Sequence, residues 1–155
     1  MTTDYTRDET DATRYDRHWV ELLQELRLAQ TGTQILFAFL LAIAFTQPFI
    51  DADGFVHTVF SVTLICAGLA TCLLIAPVPL HRLLYGRGAR PRMLSIASTL
   101  TQAGTALLAA AVCGGLLLAL DVALTRSWAI ALTAMMVVVF LVVWYLIPML
   151  ARRER

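Results

Sequence analysis

The chain has 155 residues, 59% of them apolar and only 15% charged, with a mean hydropathy of +0.72. Soluble domains are roughly 45–50% apolar and about 25% charged, so this composition argues against a water-soluble domain and against a disordered chain. A net charge of +1 gives no global field to draw in nucleic acid, and an all-α integral membrane protein of one domain remains.

In chain order, residues 1–10 are polar and are expected to be disordered. Residues 11–27 are expected to form an amphipathic helix, because Tyr15, Trp19, Leu22 and Leu26 fall at spacings of 4, 3 and 4 on one face. Its expected place is cytoplasmic, lying on the membrane interface; pairing with a copy of itself or with a partner is the alternative. No signal peptide is visible in this polar start, so the first span is expected to act as an uncleaved signal.

Four apolar stretches follow, at residues 28–49, 55–78, 94–120 and 128–150. Each reaches the roughly 20 helical residues needed to cross a bilayer. The first is the least hydrophobic, and only residues 35–45 of it are uniformly apolar. The fourth holds a β-branched run at residues 135–143, which lipid forces into helix because the backbone must satisfy its own hydrogen bonds there. Pro48 with Asp51 to Gly54, then Pro77, Pro79, Gly86, Gly88 and Pro91, then Asp121 to Ser127 mark three short connections. Short loops make neighbouring helices antiparallel, which predicts a compact up-down bundle of four transmembrane helices. Residues 151–155 form a basic tail.

All 12 basic residues are arginine, and eleven fall in the N-terminal segment, the middle loop and the tail, leaving Arg126 alone on the other side. The positive-inside rule then places both termini in the cytoplasm, in a bacterial inner membrane. Trp128 and Trp144 lie about 24 Å apart at 1.5 Å per residue, near the spacing of the two interfaces.

Several residue groups are candidates for chemistry or recognition. Glu25, Arg27, Gln30, Thr31, Thr33 and Gln34 form a polar cluster where the first span begins. Its expected use is a polar buckle, with Gln34 bonding a neighbouring helix; a pocket in which Glu25 or Arg27 pairs with His81 or Arg82 is the functional alternative. His81 and Arg82 complement the dipole of the second span. With Arg87, Arg90 and Arg92 they form a loop able to attract anionic lipid headgroups. Ala97, Thr101, Thr105, Ala109 and Cys113 recur every fourth position and form a small-residue ridge, for packing within the bundle or between copies. His57 at the outer end is read as an interface residue.

Catalytic templates are missing: there is no GxSxG, HExxH, Walker loop or GxGxxG. Cys66, Cys72 and Cys113 make no CxxC, so no metal site or disulfide is expected. The chain is read as no enzyme, with no cofactor.

The segments Glu21 to Arg27, Gln30-Thr31-Gly32 and Gln34 to Leu41, followed by Ala76-Pro77 and His81 to Tyr85, resemble the motifs of the DUF6328 family. The resemblance implies a four-span membrane protein of actinobacteria and brings no activity, cofactor or catalytic residue. Some members carry a sodium:proton antiporter label. Antiport needs a titratable midplane site, and no Asp or Glu lies inside the four stretches here. The expected role is structural or accessory, binding the bilayer and either itself or another membrane protein, with no nucleic acid. The alternatives are a small oligomeric transporter or channel lined by Gln34, Thr99, Gln102 and Thr105, and a sensor of anionic lipid or envelope stress working through the arginine loop.

Overall fold

A computed structural model describes residues 11–84 and 90–153, and every element among them is helical. The N-terminal ten residues, Arg87, Glu154 and Arg155 lie outside the described residues, as do the side chains of Tyr15, Arg90, Arg92, Arg152 and Arg153.

Helix α1 (Asp11–Ile43) is a single 33-residue rod, about 50 Å long at 1.5 Å per residue. The amphipathic segment and the first span are therefore one helix, with no boundary at residue 28. The span also stops at Ile43, short of the expected 49. Pro48 has no N–H for the Ala44 carbonyl and its ring would collide with it. Thr46 Oγ1 donates to Ile43 O at 2.8 Å, and the chain turns into the short α2 (Gln47–Ile50) with Pro48 in its first turn.

Helix α3 (Gly54–Ile75) begins at Asp53, whose side chain accepts the Val56 N–H at 3.0 Å as an N-cap. It breaks where Pro77 and Pro79 withhold the N–H groups that would serve Leu73 O and Ile75 O. The chain resumes as α4 (Pro77–Leu84). Helix α5 (Arg90–Ala123) is 34 residues long. The last rod comprises α6 (Arg126–Leu141), a π-turn (Val142–Leu146) and α7 (Ile147–Arg153). Pro148 accounts for the π-turn: in a regular α-helix its ring would meet the Trp144 carbonyl, and one extra residue per turn relieves that contact. The widened turn is closed by Ile147 N–H donating to Val142 O.

Four segments are long and apolar enough to cross a membrane: Arg17–Ile43, Gly54–Leu83, Met93–Ala123 and Arg126–Ala151. Three of them share a seam. Trp19, Leu26, Thr33 and Leu40 are buried at steps of seven along α1. Phe60, Thr63, Ala67, Ala70 and Leu74 alternate steps of three and four along α3, and Ala97, Gly104 and Ala111 step by seven along α5. A repeat of 3.5 residues keeps one stripe facing its neighbours and favours a left-handed coil. Between α3 and α5 the seam is narrowed by glycine and other small residues. A Cβ on Gly104 would sit 2.9 Å from Leu74 Cγ, and one on Gly114 would sit 3.0 Å from Thr63 Cβ, so α3 and α5 meet nearly backbone to backbone.

Two clusters fill this seam. Leu40, Phe60, Ala67 and Ala111 form one, and Trp19, Met93 and Ala97, with Leu22, Leu23, Leu80 and Leu94 around them, form the other. Trp19, Leu22 and Leu23, on the face expected to lie on a membrane surface, are thus packed against α4 and α5. The fourth rod differs from the other three. It packs on α5 through Ala129 and Thr133 and makes no comparable contact with α1 or α3. The architecture is a three-helix core with a peripheral fourth span, where the loop lengths predicted a compact bundle of four. Loop length sets direction and adjacency of consecutive helices; it does not close the ring.

Candidate functional site

Three polar features interrupt the apolar body, at different levels. The first ties two loops together at one end of the bundle. Arg126 Nη2 lies 2.8 Å from Asp53 Oδ2, while its Nε and Nη2 donate to Asp121 Oδ1 and Oδ2 at 3.0 and 3.1 Å. The guanidinium also sits 4.3 Å from the centroid of the Phe55 ring, a cation–π contact. Only 9% of the Asp121 side chain is exposed. Asp53 is held below the usual carboxylate range, first by the Val56 N–H and then by the Arg126 hydrogen bond. The one arginine that breaks the charge asymmetry is therefore the bolt joining the start of α3, the end of α5 and the start of α6. Its signal in the sequence was two aspartates and one arginine at the ends of loops on the same side. Beside it, His57 stands edge-on to Phe49 at 4.8 Å.

Measured along α3, α5 and α6 from this clamp, about 20 residues, or roughly 30 Å of hydrocarbon, reach Leu73, Thr101 and Leu146. The second feature lies at this level. Gln30 Nε2 donates to Leu74 O at 2.8 Å. The acceptor sits in the backbone that the two prolines of α3 and α4 open. A neighbouring helix filling such a break is how lipid-embedded prolines are tolerated. The polar buckle expected of the first cluster thus exists, but Gln30 makes it and Gln34 is exposed. The reason is phase: Gln30 follows the buried Leu26 by one turn, whereas Gln34 has drifted off the seven-residue stripe.

The rest of that cluster does not converge. Thr33 is fully buried and donates to Ala29 O at 2.7 Å, and Thr31 donates to Arg27 O at 3.0 Å. Glu25 and Arg27 are exposed, and neither pairs with His81 or Arg82 among the described residues. His81 instead stacks on Trp19, ring centroids 5.0 Å apart. Arg82 is exposed, and Arg90 and Arg92 stand in the first turn of α5.

The third feature is a cleft of about 600 Å³ between α5 and the π-turn, lined by Gln102, Thr105, Trp144, Tyr145, Pro148 and others. A narrower cleft of about 230 Å³ shares Trp144 and Tyr145 with it and continues along Ala109, Cys113 and Phe140. The small-residue ridge therefore divides between two neighbours. Ala97 belongs to the Trp19 cluster, while Thr105, Ala109 and Cys113 face the fourth rod. Every fourth residue advances about 40° around a helix of 3.6 residues per turn, so such a row cannot stay on one neighbour. Of the four residues expected to line a pore, Gln102 and Thr105 share this cleft, and Gln34 and Thr99 do not line it.

The chain belongs to a family of unknown function (DUF6328), whose description matches residues 8–148. No curated protein and no solved structure matches it.

Proposed function

For a chain in a family without an assigned activity, we propose a non-enzymatic, multi-pass membrane protein with a structural or accessory role, associating through its fourth span with a second copy or another membrane protein. The observation that carries this reading is the position of that span: apart from the Arg126 clamp at its start it packs on α5, and Val138, Leu141, Val142 and Ile147 are exposed along it. A single-helix attachment leaves most of its circumference available, and transmembrane helices associate by packing rather than by hydrophobicity. Cysteine crosslinking from Val138 and Leu141 in native membranes, with identification of co-purifying proteins, tests it. Adducts to a copy or to one defined protein are expected. A strictly monomeric protein with no adduct at either position rejects it.

The proposed orientation puts the arginine-rich end in the cytoplasm of a bacterial inner membrane, with the Arg126 clamp outside. Single cysteines near Asp53 and Arg87, in a background lacking the native three, are expected to label from opposite sides. Same-side labelling would overturn the topology. Gln102 and Thr105 in one cleft favour a second reading, an oligomeric channel. Flux of protons, Na⁺ or small solutes no faster than in empty vesicles removes it.

A further inference from the structure

We propose that the seam between α5 and the fourth rod is a binding site for one acyl chain of a phospholipid from the leaflet on the arginine-rich side. The polarity of the seam changes along its length in the sense of a lipid molecule. Its wide end is lined by Gln102, Thr105 and Tyr145 and lies at the level of Leu74 and Gln30, about 30 Å from the clamp. Its narrow end is apolar, walled by Ala109, Cys113 and Phe140.

The donors at the wide end suit the acceptors of a glycerol ester or phosphate. The Gln102 carboxamide makes no hydrogen bond within the described residues. The Thr105 hydroxyl already donates within its own helix, to Thr101 O and Gln102 O, each at 3.0 Å. Gln102 is therefore left to donate, with the Tyr145 hydroxyl and the Trp144 indole N–H lining the same cleft, and phospholipid oxygens beneath the headgroup accept and do not donate.

Size distinguishes a chain from a helix as occupant. From Gln102 to Cys113 the seam runs roughly 16 Å, half the hydrocarbon thickness and so the depth of one leaflet. A helix of that length and 10–12 Å diameter displaces roughly 1,200 Å³ or more, against about 600 and 230 Å³ in the two clefts along it. The gap has a local cause. Alanines at 106, 109 and 110 set back the α5 wall, while Phe140 and Trp144 stand edge-on at 5.0 Å and form the opposite wall. The π-turn forced by Pro148 displaces the rod where the wide end opens. This inference stands independently of whether the outer face of the fourth span binds a protein.

The test uses the full chain in phosphatidylcholine–phosphatidylglycerol vesicles with a trace of phospholipid carrying a diazirine at one acyl terminus. After irradiation, lipid adducts are mapped by mass spectrometry. Ala109, Ala110 and Cys113 are expected to be labelled about fivefold or more above the lipid-facing residues Val62 and Ile65, which are 57% and 61% exposed on α3 at a similar depth. Ala109→Leu, which fills the seam, is expected to abolish the excess and leave Val62 and Ile65 labelling unchanged. Equal labelling at all five positions in the unaltered protein overturns the proposal without recourse to any variant. Disulfide-linked pairs of chains joined through Cys113, mapped after mild oxidation of the same vesicles, also overturn it and assign the seam to a second copy.

Discussion

One added methyl group at Gly114 measures how closely α3 and α5 approach. The new Cβ would lie 3.0 Å from Thr63 Cβ, and Thr63 is 3% exposed and bonded to Val59 O at 2.7 Å, so it has no room to yield. Gly114→Ala is expected to cost about 1–3 kcal/mol, read as a lower melting temperature in mild detergent. Gly32→Ala is the control. Nothing lies within 4 Å of its Cβ position, and a gain of up to about 1 kcal/mol is expected from helix propensity. Two polar residues have opposite expected signs. Gln30→Leu removes the bond to Leu74 O and is expected to cost about 0.5–1.5 kcal/mol. Thr133→Val is expected to stabilise by about 1 kcal/mol, because the Thr133 hydroxyl is buried with no hydrogen-bond partner among the described residues. Melting temperatures equal to the native one for both variants would contradict both assignments.

At the scale of elements, the Arg126 clamp is the connection that a titration reaches. Asp53 has a depressed pKa in the folded protein. Its stabilising contribution is therefore fully present above the unfolded value of about 3.9 and is lost as pH falls through the lower folded value. Melting temperature is expected to fall below about pH 4 in the native chain, and Arg126→Gln is expected to lower it at neutral pH and to flatten that acid limb in part, the Val56 N–H still holding Asp53. An unchanged limb would show that Asp53 is not tied to Arg126. The sequence exposed the four spans through hydropathy, and it exposed the ends of the first two through Pro48, Pro77 and Pro79, whereas the π-turn before Pro148 lay inside an expected uninterrupted span. It concealed the seam, because helices in lipid are apolar all round and the stripe is marked by size rather than by hydrophobicity: Thr33 and Thr63 are buried, while Phe39 and Ile65 are exposed. Among the polar candidates, spacing alone could not say whether Gln30 or Gln34 faces inward. A single turn separates them, and the decision rests on the seven-residue stripe through Leu26 and Thr33.

For the whole molecule, short loops foretold antiparallel neighbours but not that the fourth rod would remain outside the ring of three. A chain ending at Thr125 tests this division, since it retains Trp19 as the sole tryptophan of the original three. Trp19 is 7% exposed within a cluster that includes no residue of the fourth rod. Its emission in detergent is expected to match that of the full chain carrying Trp128→Phe and Trp144→Phe. A shift to the red would place the fourth rod within the core. The continuous α1 has a further consequence, for biosynthesis. Trp19 needs Met93 and Ala97, and Leu40 needs Ala111. Helix α1 must therefore wait, part of its stripe unmatched, until α5 is made. Only then does the waiting helix gain its partners, on both sides of the proline break at once. The fourth rod, made after α5, joins a unit already assembled.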